Sequence, residues 1–239
     1  MPLTFVRSDM TRTAVVAGVG PGLGASLARR FDREGCDVAL FARSPEFVEE
    51  LADELDSGLV VTVDVADPDA VEGGFETVRE AFGPVDVLAF NASGASWTGL
   101  LETDLEGFRD TLAVGVEGAF LCAREAVSDM VENDGGTVLF TGATTSVRGR
   151  EGAVGFSAAK FGARGLAESM ARELGPRGVH VAHVVVDGQI LAPGIDTGDR
   201  AEHEYLDPDA IANEYWNLVE QDRSTWTLEL DLRPHVESF

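Results

Sequence analysis

An α/β fold on one doubly wound parallel sheet is the class this sequence predicts, and three observations predict it. Runs such as TAVVA (13–17), DVALFA (37–42) and VHVAHVVV (179–186) are apolar almost throughout. Strands covered on both faces read this way, because neither side of the pleat meets water. Segments with helical spacing alternate with these runs, as in Leu23, Leu27 and Phe31 on one face. A glycine-rich turn, GVGPGLG, follows the first run directly and opens the first helix. The 239 residues are 44% hydrophobic, enough for a full core in one domain. No linker, repeat or low-complexity tract divides the chain, so residues 1–239 are read as a single domain.

The elements follow in order. Strand 13–17 turns through the glycines into helix 23–34. Strand 37–42 leads to helix 46–55, and strand 59–63 (LVVTV) to helix 67–82. Strand 85–90 (VDVLAF) precedes a long helix over 104–131. Strand 137–141 (TVLFT) precedes helix 153–174, and strand 179–186 follows. Right-handed crossovers wind such a chain onto both faces of the sheet, with about seven strands in the order 3-2-1-4-5-6-7. The stretch 187–208 is rich in Gly, Pro and Asp and reads as a long loop. Loops of that length in a compact domain usually serve as lids or binding loops. Helix 208–220 and strand 225–231 (TWTLELD) complete the order.

Charge is the strongest compositional signal. Forty-two acidic residues face eighteen basic ones, a net charge of −24. The acids are spread along the chain, which excludes a disordered acidic tail as their origin. Such a surface repels phosphate backbones and anionic lipids, so neither nucleic acid nor membrane is an expected partner. No run approaches the roughly 20 apolar residues of a membrane span. The segment MPLTFVRSDM lacks an apolar signal core, so a cytoplasmic protein is expected. Cys36 and Cys122 sit in apolar surroundings and are expected as two buried thiols. Seventeen of the eighteen bases are arginine, and Lys160 is the only lysine. Acid enrichment with near-total loss of lysine resembles the proteins of halophilic archaea, whose saline cytosol screens self-repulsion.

The candidate binding residues gather at strand ends. Gly18, Gly20, Gly22, Leu23 and Gly24 form a GxxxGxG turn into a helix, where free N–H groups and the helix dipole favour a pyrophosphate. At the end of strand two an NAD-preferring site usually carries an acid; here Arg43 and Ser44 stand instead. Arg43 is either a clamp for a 2′-phosphate, with Ser44 helping, or a solvent-facing strand end. The first reading favours NADP(H) over NAD(H). After strand three, Asp64 would accept from an adenine amino group or start a turn, with Val65 beside it. After strand four, Asn91 and Ala92 would let backbone lie against a flat cofactor, or make a plain turn. No metal-type cluster is present; His180 and His183 read as strand residues.

Taken together, these pieces resemble the short-chain dehydrogenase/reductase family, from about residue 12 to 231. The resemblance implies a Rossmann-type sheet, a nicotinamide cofactor, a small-molecule substrate or metabolite and a homodimer or homotetramer formed partly by the long helices. It also implies where the family's catalytic groups fall. The lysine falls on Lys160. The tyrosine four residues earlier falls on Phe156, the serine on Ala143, and the asparagine of the long helix on Gly115. The family's leading threonine of the glycine turn is Ala17. Its Pro-Gly after strand six becomes Asp187-Gly188, with Gly188 at the cofactor. The chain thus resembles a divergent subgroup with a degenerate tetrad. Phe156 cannot move a proton and Ala143 cannot orient a substrate oxygen, so carbonyl reduction loses its usual acid. Thr144 is the candidate substitute donor; Thr141, Thr145, Ser146, His203 and Tyr205 are weaker ones. Ser157 should face elsewhere, about 100° around the helix from Phe156. Two readings stay open: an oxidoreductase with rearranged donors, and a catalytically silent NADP(H)-binding sensor or partner subunit.

Overall fold

The computed structural model describes residues 11–94 and 97–237; the leader reading of residues 1–10 lies outside them. Seven parallel strands make one sheet: β1 (Thr13–Ala17), β2 (Asp37–Ala42), β3 (Gly58–Thr62), β4 (Val87–Phe90), β5 (Gly136–Thr141), β6 (Val179–Val186) and β7 (Glu229–Leu232). Their order is β3-β2-β1-β4-β5-β6-β7, as the sequence predicts. Val15 stands between Ala39 of β2 and Leu88 of β4, which fixes the register at the centre.

Strand alternation divides the core in two. Ala14 and Val16 point to one face, against Leu27 and Phe31 of α1 (Leu23–Arg33) and Tyr215 and Trp216 of α7 (Pro208–Val219). Val15 and Ala17 point to the other, with Phe75 of α3 (Pro68–Phe82) and Ala167 of α6 (Val154–Leu174). α2 (Pro45–Glu54) completes the first face through Val48 and Leu51. Both cysteines are buried free thiols, one in each layer, and burial pushes each up to about 12. Among the described residues no helix is long and apolar enough to cross a membrane.

Three expected elements differ in detail. The long helix is one rod in three parts: α4 (Leu105–Leu112), a π-helical turn over Ala113–Glu117, and α5 (Gly118–Glu132). The last strand begins at Glu229 rather than 225, because the preceding backbone is used elsewhere. Gln221 accepts from the Thr227 N–H at 2.8 Å, and the Trp226 indole donates to the Gln221 carbonyl. β4 begins at Val87 rather than 85, because the Val85 N–H donates to Asp129 of α5 at 3.1 Å.

That aspartate joins three elements. Asp129 also accepts from Arg79 of α3 at 3.0 and 3.1 Å, and Arg79 reaches Glu125. Asp129→Ala leaves a part-buried guanidinium and a backbone N–H without their shared acceptor. It should lower unfolding free energy by about 1.5–3 kcal/mol, read as a drop in the urea midpoint at unchanged slope.

Candidate functional site

The strand order reverses beside β1, and the chain diverges there to opposite faces. Open α/β sheets leave a crevice at the C-terminal ends of the strands at this switch point. A groove of about 830 Å³ opens there. It is lined by Gly18, Gly20, Gly22, Leu23 and Gly24 of the first turn, Arg43 after β2, Asp64 and Val65 after β3, and Asn91 and Ala92 after β4. Sequence residues separated by up to 74 positions thus meet along one wall.

The glycine turn is shaped by close backbone approach. Gly18 has φ +95°, and a Cβ there would lie 2.4 Å from the Ala92 nitrogen. A Cβ on Gly24 would lie 2.7 Å from the Gly18 carbonyl oxygen. Only glycine meets both demands. The Gly18 and Val19 N–H groups donate to the Phe41 carbonyl at 3.0 Å, and Asn91 Nδ2 donates to the Gly18 carbonyl at 2.8 Å. Asn91 therefore pins the turn to β4. The first turn of α1 has neither a side-chain cap nor an acidic residue, so its N-terminal dipole faces the groove uncompensated. A cradle of this kind fits a pyrophosphate. Asp64 makes a turn, accepting from the Ala66 N–H at 3.0 Å, and stands exposed at the groove. Arg43 is exposed and forms no ion pair among the described residues; Ser44 begins α2 beside it and does not line the groove.

The other half lies behind the rod. Thr111 and Val114 line the groove, and a Cβ on Gly155 of α6 would lie 3.5 Å from the Thr111 side chain. Gly115 sits in the π turn, and a Cβ on it would lie 2.8 Å from the Ala159 Cβ. π turns in helices frequently mark functional sites. Here the turn lets α6 approach the rod, and the space an asparagine would need is taken by Ala159.

Lys160 is 7% exposed. Its Nζ donates to the Thr141 carbonyl at 2.7 Å and stands 5.6 Å from the centre of the Phe156 ring. Among the described residues it forms no ion pair, and burial pushes its ammonium down to about 8. Phe156 is buried and carries Trp97 against it, with ring centres 5.0 Å apart. Ala143 is half-buried at the end of β5, and its N–H donates to Ser146 Oγ.

The remaining hydroxyls are mostly engaged. Thr144 donates to Asp187 at 2.5 Å, so its proton points at a carboxylate and only lone pairs remain outward. Thr141 Oγ1 pairs with the Tyr215 hydroxyl at 2.8 Å, and burial raises that phenol further. Tyr205 donates to the Thr197 carbonyl within its own loop. Ser157 accepts from the Arg150 N–H, away from Phe156 as its position on the helix requires. Thr145 Oγ1 is buried without a hydrogen-bond partner. His183 is buried beneath Gly142, and desolvation holds it down near 4, Glu229 opposing. Among the described residues no metal-ligating cluster exists.

Gly188, expected at the cofactor, instead lines a second hollow with Asp187 and Thr144. Sequence reasoning missed Ala192. This residue of the 187–208 segment lines the groove, and a Cβ on Gly22 would lie 3.2 Å from its methyl. It missed Trp97 as well, since a lone tryptophan in a loop carries no spacing signal.

Comparison with known proteins agrees with this geometry. Residues 12–194 match the family model of short chain dehydrogenases. The chain is 30% identical over 197 residues to a 2-dehydro-3-deoxy-L-rhamnonate dehydrogenase (NAD(+)) of Sphingomonas sp., covering 82% of this chain and 78% of that protein. It is 30% identical over 198 residues to a 3-oxoacyl-acyl-carrier-protein reductase of Staphylococcus aureus, covering 81% and 78%. Among solved structures, a short-chain dehydrogenase of Rhodopseudomonas palustris superposes with TM-score 0.81 at 33% identity, covering 94% of this chain and 99% of that one. An alcohol dehydrogenase of the archaeon Thermococcus sibiricus, complexed with 5-hydroxy-NADP, superposes with TM-score 0.86 at 27% identity, covering 95% and 98%.

Two substitutions probe this packing. Gly115→Asn should cost about 1–3 kcal/mol by overpacking, and Ala159→Gly in the same chain should recover part of it. A double-mutant cycle in urea reads the coupling. Lys160→Met should stabilise the fold at pH 7 by roughly 1–3 kcal/mol, because a buried charge is removed. Between about 8 and 10.5 the unfolded chain holds the proton that the folded chain has released. Wild-type stability therefore gains with pH relative to the Met variant across that window, and the advantage of the variant shrinks.

Proposed function

Because the chain belongs to the short-chain dehydrogenase family, we propose that it binds NADP(H) in the groove at the β1/β4 switch and holds a small-molecule ligand beside Phe156. The observation that carries this reading is Lys160. A chain that uses arginine at seventeen positions keeps its single lysine buried, without a carboxylate, at a position where the charge opposes folding. A compact ammonium with three rotatable donors suits two ribose hydroxyls; a planar guanidinium does not. The glycine turn and the open end of α1 would take the pyrophosphate. Arg43 would take a 2′-phosphate, since no acid stands at the end of β2 to claim a ribose hydroxyl.

The bound cofactor would supply or accept a hydride. The chain's own residues then leave the accompanying proton without its usual carrier. Phe156 has no ionisable group, Ala143 offers no hydroxyl, and the Thr144 proton is engaged by Asp187. Losing a general acid costs roughly 10²–10⁴-fold, and losing an oxyanion donor a similar ~10²–10³-fold. Turnover of the family's kind is therefore slow. The tilted Trp97–Phe156 contact favours the second reading, a silent binder that senses NADP(H) or serves a partner subunit, because an apolar ring stands at the acid's position with a second one against it. Phe120 of α5 and Phe161 of α6 are exposed apolar surface that a second copy would cover in a homodimer or homotetramer. The domain is read as one unit, with 187–208 closing over the ligand, in a cytoplasm of high salt.

In concentrated KCl, NADPH titrated into the protein should enhance its own fluorescence on binding. Lys160→Met should weaken this binding about 10–100-fold, the worth of charge-assisted hydrogen bonds. Arg43→Gln should weaken NADPH by about tenfold and leave NADH unchanged. A wild-type protein, folded by circular dichroism, that binds neither coenzyme ends this reading.

A further inference from the structure

The second hollow, about 840 Å³, shares no lining residue with the groove at the switch point. Thr144 lines it, next to Ala143, and so does Trp97, whose ring lies tilted against Phe156. Its remaining character comes from Arg148, Arg150 and Arg200. Three guanidinium groups meet two carboxylates there, Asp187 and Glu237, in a chain with forty-two acids and eighteen bases. The local charge balance is inverted relative to the molecule.

The three guanidinium groups are held differently. Arg148 is tied to Asp187, the one carboxylate buried among the described residues, by contacts of 3.4 and 3.5 Å. Those contacts are long, and Arg233 shares the same carboxylate from 3.6 Å, so Asp187 does not saturate Arg148. Arg200 is fixed by Glu204 and by the Gln189 side-chain amide oxygen (Oε1) at 3.2 Å, with its guanidinium 4.5 Å from the centre of the Tyr205 ring. Arg150 has no ion pair among the described residues. Its guanidinium lies 5.5 Å from the centre of the Trp97 ring. A cation over an aromatic face keeps its in-plane N–H donors free, and guanidinium donors in that plane match an oxyanion bidentately. In an otherwise anionic surface field, these donors would attract anions and little else.

The geometry points to an oxyanion subsite in this hollow: Arg150 and Arg148 grip a carboxylate or phosphate carried by the ligand whose reacting carbon faces Phe156 and Ala143. This inference rests on the reading of the groove as the coenzyme site, because that reading fixes which end of the ligand reacts. The ligand is therefore an organic acid or phosphate ester with a carbonyl or hydroxyl group, not a neutral alcohol or sterol. Arg150, Arg148 and the buried Asp187 that steadies Arg148 act on affinity rather than on the proton.

Malonate, inorganic phosphate and the neutral malonamide serve as probes, titrated at constant ionic strength in KCl and read by Trp97 emission, with Trp97→Phe identifying that signal. The expected result is saturable binding of malonate, phosphate or both, and none of malonamide. Malonate alone assigns a carboxylate, phosphate alone a phosphate ester. Arg150→Gln should weaken the bound anion about tenfold, and Arg150→Lys should weaken it less. Arg150 is exposed and unpaired among the described residues, so its variants fold, which circular dichroism verifies. Silence of both anions, equal binding of malonamide, or an Arg150→Gln variant that binds as wild type does would overturn the proposal. NADPH titrated into the same samples separates the two readings. Anion binding without coenzyme binding removes the coenzyme reading and leaves the subsite. Coenzyme binding without anion binding removes the subsite alone.

Discussion

Thr141, at the C-terminal end of β5, makes the contact on which the site is built. Its carbonyl accepts from Lys160 of α6, and its hydroxyl pairs with Tyr215 of α7. α6 covers one face of the sheet and α7 the other. One residue at the strand rim therefore ties both helix layers together. The tie also orients the ammonium, which would otherwise sit in apolar surroundings with no fixed direction. A buried cation without an anion is costly, and a carbonyl acceptor offsets only part of that cost. The fold tolerates Lys160 because Thr141 is already held by the sheet and by Tyr215.

Around Gly115, Phe156 and Ala143 the side chains are closely packed. Ala159 approaches the π turn so closely that Gly115 has no room for a side chain. Phe156 is covered by Trp97, and Ala143 turns its N–H to Ser146. Each contact fills or closes space beside these residues. The groove at the switch point keeps its cradle, since Gly18, Gly24 and Asn91 interlock at backbone distance. One half of the molecule is constrained by backbone approach, the other by side-chain volume.

Electrostatics follow the same division. Among the described residues Asp187 is the one fully buried acid, and the others are half-buried or exposed. Cations are placed where geometry holds them: Arg79 between Glu125 and Asp129, Lys160 under Thr141, Arg148 and Arg150 around the second hollow. Screening in concentrated salt weakens the exposed acids' mutual repulsion more than it weakens partly buried pairs. The cations that remain are therefore the ones most informative about ligands.

By itself, the sequence determined the layer order and the sheet. Continuous apolar runs such as Thr13–Ala17 and Val179–Val186 are legible because period-2 burial on both faces leaves no polar position. It determined the glycine turn, since Gly18 and Gly24 have a backbone reason to be glycine, and it marked Lys160 by composition alone. Tertiary structure decided the rest. It opened the π turn inside a stretch that reads as one uniform helix, because the nearness of Ala159 is a contact between distant segments. It turned the Thr144 proton to Asp187, forty-three residues away in sequence. It placed Gly188 at the second hollow and brought Ala192 to the groove at the switch point. These placements depend on how a long loop folds back over the sheet, and local spacing carries no information about long-range packing.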